Sequence, residues 1–138
     1  MTRRPGSWEY GMASAAREEA AIVRSVYDAF NRRDLAAVAA VVAPDAELFG
    51  GPTQEATGEE SYRGHDGLQR YFTDVASVWD SLAAYPEDVR AAPGSVIVFG
   101  RLVSTAAQAQ TSRRMMWSWQ LRDGLVTSLR VNELGAAG

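Results

Sequence analysis

The spacing of apolar residues predicts three helices in the first half of the chain. Over residues 15–31, apolar side chains recur at about the 3.6-residue period of a helix, with charged residues mostly between them. Asp34 is a potential cap for a second helix, "LAAVAAVVA", which Pro44 stops. A third stripe of the same period extends from about residue 65 to Trp79. Each segment therefore offers one apolar face to a common core.

After Trp79 the spacing changes from helical to alternating, which predicts β-strands. Four strands are expected, near residues 83–91, 95–105, 113–122 and 125–134. An earlier strand is expected at "DAELF", and the segment "GGPTQEATGEESYRG" is interpreted as a long loop. This order of elements indicates an α+β fold, in which helices cover one face of a curved antiparallel sheet.

The final hairpin, around "RDG", can close in two ways that turn opposite faces of the strands inward. A two-residue turn at "DG" would place Trp117 and Trp119 on the same face as Ser128 and Arg130. A three-residue turn with a glycine bulge would pair Trp117 with Leu129 and gather the apolar side chains on one face. Burial favours the second turn, because a shift of one residue would expose the whole apolar set. We therefore expect both tryptophans to face the helices.

Length and composition restrict the class of protein. With 138 residues the chain can bury the core of one domain, which we expect over residues 15–138, after a flexible N-terminal extension of residues 1–14. The formal charge of −3 provides no basic field for nucleic acid or an anionic membrane. With no cysteine and one histidine, the chain lacks the usual ligands of a thiolate or histidine-rich metal site. We expect a cytoplasmic protein without a metal or other cofactor.

Three segments resemble the SnoaL-like branch of the NTF2-like superfamily: "VYDAFNRRDLAAVAAVVAPDAELF", "YRGHDGLQRYF" and "WQLRDGLVTSLRV". The resemblance implies a cone, with three N-terminal helices packed on the concave face of a strongly bent, mixed but mainly antiparallel β-sheet. It also implies an apolar cavity that opens at one end. Relatives include ketosteroid isomerases, limonene epoxide hydrolases and polyketide cyclases, so the fold alone does not define a reaction.

The catalytic groups of these relatives are not carried over intact. The epoxide hydrolases use an Asp-Arg-Asp set, and the resemblance places Arg101 at the arginine but Val103 and Val131 at the aspartates. The steroid isomerases use two carboxyl groups and a tyrosine. Those three positions fall on Gly50, Val26 and Trp117. The acid of the SnoaL-type cyclases also falls on Trp117, so the resemblance supplies a cavity without its acid–base group.

Two charged residues are candidates for chemistry because they lie on strands beside the expected cavity. Arg101, between Phe99 and Val103, is expected to point inward, where it would need an acid, a carbonyl or a ligand as partner. Glu47 is the only acid inside the first strand, and apolar surroundings would raise its pKa towards that of a general base. Strict alternation with Gly50 inward would instead turn Glu47 outward.

Three further polar positions have both a structural and a functional interpretation. Glu133 and Arg113 lie opposite each other in the bulged register, either as a cross-strand ion pair or as ligand-binding groups. Tyr27, on the buried stripe of the first helix, can donate its hydroxyl proton to a ligand or to a backbone carbonyl. His65 is next to Asp66 at the start of the third helix, where a surface imidazole and a catalytic one both fit.

The inward apolar residues are expected to form both the core and the wall of a ligand cavity. The candidates for ligand contact are Phe30, Phe72, Trp79, Phe99, Arg113, Met115, Trp117, Leu129 and Val131. Tryptophan and methionine surfaces suit a flat, apolar or aromatic small molecule. Val96, Val98 and Leu102 are expected on the outer face of their strand, as part of a homodimer interface.

Two hypotheses for the function remain. The first is a cofactor-independent cyclase, isomerase or hydrolase of secondary metabolism, in which Arg101 stabilises negative charge and Glu133 or Glu47 moves a proton. The second is a non-catalytic module, small-molecule-binding or stress-related, that lacks the acid–base group. Both hypotheses exclude nucleic acid and membranes as partners.

Overall fold

The computed structural model describes the backbone of residues 7–135 and the side chains of residues 13–135. The helices in this range are α1 (Ser7–Asn31), α2 (Leu35–Ala39), α3 (Pro52–Thr57) and α4 (Gly64–Val78). The strands are β1 (Val42–Gly50), β2 (Tyr62–Arg63), β3 (Ser81–Ala92), β4 (Ser95–Ala106), β5 (Ala109–Arg122) and β6 (Leu125–Glu133). None of the described helices is long and apolar enough to cross a membrane.

The strands form one sheet in the order β2-β1-β6-β5-β4-β3. β1 and β6 are parallel, and the other neighbouring strands are antiparallel. The register is irregular in the β1–β6, β3–β4 and β5–β6 pairs, and bulges of this kind bend a sheet. α1 packs against β3 and β4, while α4 packs against β1 and β2. The expected α+β cone with a mixed, mainly antiparallel sheet is thereby confirmed.

The first helix and the expected long loop both contain more regular structure than the pattern indicated. α1 begins at Ser7 instead of near Ala15, so the second half of the expected extension belongs to the helix. Residues 1–6 of that extension lie outside the described range. The expected loop contains α3 and β2, which are too short to show an apolar period. The cone therefore has a fourth, short helix.

The second helix is shorter than expected because its last residues join the sheet. α2 ends at Ala39, and β1 already begins at Val42, which pairs with Val126 of β6. Valines are well suited to a strand, and the residue before Pro44 is disfavoured in a helix. The last residues of the predicted helix therefore belong to β1, which pairs in parallel with β6.

The final hairpin closes through a two-residue turn, and a bulge farther along shifts the register of its two strands by one residue. Asp123 and Gly124 have φ values of 54° and 76°, as a type I′ turn requires. The expected three-residue turn was therefore wrong. A bulge farther along the hairpin places Trp117 opposite Val131 instead of Leu129. Both tryptophans of β5 are still buried on the helix-covered face, as expected.

The orientation of β4 is the reverse of the expected one. Val98 pairs directly with Trp117 and therefore shares its inward face. The inward residues of β4 are Val96, Val98 and Leu102, and the outward ones are Phe99, Arg101 and Val103. Both faces of this strand carry apolar residues, so alternation alone could not tell them apart. The prediction that Arg101 lies inside the cone was therefore wrong. The prediction that Val96, Val98 and Leu102 form part of an outer surface was also wrong.

Candidate functional site

A cavity of about 110 Å³ lies between the helices and the concave face of the sheet. Its wall is almost entirely apolar, and every described helix and strand contributes to it. The aromatic wall residues are Tyr27, Phe30, Tyr62, Tyr71, Phe72, Trp117 and Trp119. An apolar cavity of about 150 Å³ engineered in another protein binds benzene. This cavity therefore has room for about one aromatic ring before its walls need to move.

The residues predicted to contact a ligand divide into two groups. Those that line the cavity are Phe30, Phe72, Trp117, Leu129 and Val131. Those that do not are Trp79, Phe99, Arg113 and Met115. Met115 is fully buried in the core, Phe99 is on the outer face, and Trp79 donates a hydrogen bond to Thr53 and contacts Arg113. The prediction that these four line the cavity was wrong, because an inward or apolar position can equally serve the core or the edge of the sheet.

Tyr27 is held between the two tryptophans of β5. Its ring meets Trp117 edge to face at 5.2 Å between centroids and Trp119 at 5.6 Å. The indole Nε1 of Trp119 donates a hydrogen bond of 3.2 Å to the hydroxyl oxygen of Tyr27. Burial raises the pKa of Tyr27 far above its usual value, so its hydroxyl stays protonated. The predicted tyrosine is thus at the cavity wall as a neutral polar group in apolar surroundings.

Tyr62 and Tyr71 also line the cavity, and the sequence pattern did not single them out as site residues. The Tyr62 hydroxyl donates to a carboxylate oxygen of Asp74 at 2.7 Å, and burial raises its pKa to about 12. Burial likewise raises the pKa of Tyr71. Tyr71 lies on the apolar stripe of α4, which could have indicated it. Tyr62 lies in the expected loop, where no signal in the sequence identified it.

Glu47 does not have the environment of a general base. Glu47 borders the cavity, but its carboxylate accepts hydrogen bonds from Arg63 at 2.8 Å and from Ser61 at 3.2 Å. The Arg63 guanidinium lowers the pKa of this carboxyl group, which is the opposite of the predicted shift. The alternative from strict alternation, with Glu47 turned outward, describes its position. Its ion pair with Arg63 joins β1 to β2.

Arg113 and Glu133 form the expected cross-strand pair, but diagonally instead of directly opposite. Glu133 pairs with Met115 in the sheet, and the Arg113 Nε lies 3.5 Å from its carboxylate. Arg113 also donates to the hydroxyl of buried Ser104 at 3.3 Å and covers the ring of Trp79 at 5.5 Å. Neither charged residue lines the cavity. The contacts of this pair are therefore those of a structural clamp between β5 and β6, at one end of these strands.

The remaining charged candidates are on the surface. Arg101 lies 3.7 Å from Glu87, and 56% and 59% of these side chains are exposed. The ring of His65 is exposed and its Nε2 hydrogen-bonds the carbonyl of Val42 at 2.8 Å. The described residues of the cavity lining that carry polar side-chain atoms are Tyr27, Glu47, Tyr62, Tyr71, Trp117 and Trp119.

This fold is similar to that of NTF2-like proteins in solved structures. An NTF2-like protein of unknown function from Burkholderia pseudomallei K96243 is 22% identical, with a TM-score of 0.77 over 85% of this chain and 91% of that one. TerC co-crystallised with polyporic acid is 21% identical, with a TM-score of 0.77 over 85% and 92%. A putative polyketide cyclase from Xanthomonas campestris pv. campestris is 16% identical, with a TM-score of 0.73 over 85% and 90%.

The sequence itself identifies the branch of this superfamily. Residues 23–129 match the SnoaL-like domain, and no curated protein matches the chain. The chain belongs to the SnoaL-like family, as the resemblance in its sequence indicated. At these identities the solved structures establish a shared fold and leave the reaction open.

Proposed function

We propose that this protein binds a flat, apolar or aromatic small molecule in the cavity of the cone. The observation that carries the proposal is the wall of aromatic side chains, in which the carboxylate of Glu47, the acidic residue among the described residues of the lining, is paired with Arg63. Cavities of this kind, apolar with a few placed polar groups, are the usual form of small-molecule sites. The similar fold of TerC, co-crystallised with polyporic acid, supports a small-molecule ligand.

A cofactor-independent cyclase or isomerase is the second candidate, and the Tyr27 hydroxyl is the observation that favours it. A neutral hydroxyl in apolar surroundings can stabilise negative charge that develops on a substrate oxygen. The roles first assigned to Arg101, Glu47 and Glu133 find no support in their contacts, because each of the three is held in an ion pair, and neither Arg101 nor Glu133 lines the cavity. A base would therefore have to come from the substrate or from water. This is why we place binding before catalysis.

The experiment fills the cavity and asks whether aromatic probes still bind. Ala84 lines the cavity, whereas its neighbour Ala83 lies on the opposite face of β3. Thermal shift and tryptophan fluorescence would be measured with single-ring and two-ring aromatic probes for the wild type, Ala84→Leu and Ala83→Leu. We expect the wild type and Ala83→Leu to respond and Ala84→Leu to respond weakly or not at all. Equal responses of both variants, or none in the wild type, would overturn the proposal.

We also propose a homodimer that uses the outer face of the sheet. Its apolar centre is formed by Ile97, Phe99 and Met116, of which Ile97 is 36% exposed. Glu87 and Arg101 lie together at its perimeter, so a second copy related by a two-fold axis can set acids against arginines. Light scattering should give twice the chain mass for the wild type and for Gln110→Glu at the exposed hairpin. The variant Ile97→Glu should give the mass of one chain; one mass for all three contradicts the proposal.

A further inference from the structure

The hydroxyl oxygen of Tyr27 already accepts a hydrogen bond from Trp119, and this restricts the chemical class of ligand that Tyr27 can bind. We infer that the cavity selects ligands with an oxygen that only accepts, such as a ketone or quinone carbonyl, and that Trp119 determines this preference by fixing Tyr27 as a donor. The inference rests on the proposed function and adds to it the chemical class of the ligand. It also gives Trp119 a role different from that of the other ring residues in the wall.

The direction of the hydrogen bond between the two side chains is unambiguous. An indole N–H can only donate, so the Trp119 Nε1 must donate to the Tyr27 oxygen, 3.2 Å away. The tyrosine oxygen is therefore the acceptor in this bond, and its own hydrogen remains to be placed. Among residues 13–135, no side chain or backbone group accepts that hydrogen in a hydrogen bond. Since Tyr27 lines the cavity, a ligand inside it can supply the missing acceptor.

The two residues are held so that they cannot easily change roles. Tyr27 and Trp119 are only 3% and 4% exposed, so water competes little with a ligand for this hydroxyl. Trp117 packs edge to face against the Tyr27 ring at 5.2 Å and fixes its plane. The hydroxyl therefore meets the cavity as a buried, oriented donor.

Tyr62 provides an internal contrast. It lines the same cavity, but its hydroxyl donates to Asp74 at 2.7 Å, so its hydrogen is already used. Thr57 lies 3.2 Å from the same hydroxyl oxygen. A ligand therefore gains no free donor from Tyr62, and Tyr27 is the better partner for a carbonyl.

The consequence is a preference among ligands of equal size. A buried donor without a partner is costly, so a ketone that accepts from Tyr27 should bind about tenfold more tightly than its hydrocarbon isostere. An alcohol can also accept from Tyr27, but it brings a hydrogen of its own into a wall that offers few acceptors. A ketone should therefore bind more tightly than the matching alcohol as well.

The test uses acetophenone, 1-phenylethanol and ethylbenzene as matched probes on the full chain. Dissociation constants would be measured for the wild type, Tyr27→Phe, Trp119→Phe and Tyr62→Phe. We expect acetophenone to bind the wild type and Tyr62→Phe about tenfold more tightly than ethylbenzene. Tyr27→Phe should bind the two equally. Trp119→Phe should lose much of the preference for ketone over alcohol, because Tyr27 can then accept.

Infrared spectroscopy of bound acetophenone gives a second readout that does not depend on the affinity of the ligand. A hydrogen bond from Tyr27 should shift the carbonyl stretch of the ketone to lower frequency in the wild type, and the shift should vanish in Tyr27→Phe. If ethylbenzene and acetophenone bind the wild type equally and the stretch is unshifted, the inference fails while the proposed function stands. If none of the probes binds, both fail.

Discussion

The two faces of the sheet carry similar apolar residues, but these residues are buried on one face and partly exposed on the other. In β5, Met115 is completely buried against the helices, whereas the next residue, Met116, is half-buried on the outer face beside Phe99. In β4, Val98 is completely buried while Ile97 is 36% exposed. The difference lies in what covers each face, because helices pack on the concave side and no described residue packs over the convex centre. Apolar character alone therefore does not identify the inside of this sheet.

The largest expected effect is a difference in the free energy of unfolding between substitutions at two neighbouring methionines that lie on opposite faces of the sheet. Met115→Ala removes a fully buried side chain and should lower the free energy of unfolding by about 3 kcal/mol. Met116→Ala removes a half-covered side chain and should cost about 1 kcal/mol or less. Urea denaturation at low protein concentration measures both. If Met116→Ala is as costly as Met115→Ala, the outer face is covered as fully as the inner one, as a tight homodimer would require.

The comparison of faces also explains how far the sequence could predict the fold. The orientation of β5 was predictable because its apolar residues, Trp117 and Trp119 among them, alternate with Arg114, Ser118 and Gln120. The orientation of β4 was not, because Val96, Val98, Ile97 and Phe99 make both of its faces apolar. Only pairing with β5 decides it, and that pairing is a long-range property. Arg101 was placed inside the cone for this reason.

The candidate site was predictable to a similar extent. Tyr27 and Trp117 were found because they lie on clear apolar stripes or faces. Tyr62 was missed because it belongs to a two-residue strand inside an irregular segment. The bond from Trp119 to Tyr27 joins α1 to β5 across most of the chain, and no local pattern contains it.

The second expected effect concerns a glycine that sets the separation between β4 and β3. A Cβ atom built at Gly100 would lie 2.1 Å from the backbone oxygen of Tyr85, next to the irregular pairing after Pro86. Gly100→Ala must therefore displace backbone, and it should lower the free energy of unfolding by about 2 kcal/mol. Gly135→Ala is the control, since nothing lies within 4 Å of its added Cβ. Chemical denaturation that finds the two variants equally stable would rule out this close approach.

A smaller difference in the free energy of unfolding is expected between substitutions of the two arginines that were both predicted to lie at the cavity. Arg101→Ala loses only an exposed ion pair with Glu87 and should change the free energy of unfolding by less than about 0.5 kcal/mol. Arg113→Ala also loses its contacts with Trp79 and Ser104, and it should cost about 1 kcal/mol. Thermal denaturation of both variants, with acetophenone binding as a second readout, tests this order. Loss of binding in Arg101→Ala alone would return that residue to the site.

The smallest effect is a change in the pH dependence of stability at the outer edge of the sheet. Arg63 lowers the pKa of Glu47 in the folded protein, so this pair stabilises the fold above the unfolded pKa of glutamate, about 4.3, and the gain disappears as the pH falls through the lower folded pKa. Glu47→Gln removes the titrating group, so its stability should decline less steeply than that of the wild type between about pH 5 and pH 3. Salt at about 1 M should weaken the difference because the pair is open to solvent. If the stability of Glu47→Gln declines at acid pH as steeply as that of the wild type, the ion pair does not persist in solution. Glu47 would then be free to turn towards the cavity it borders.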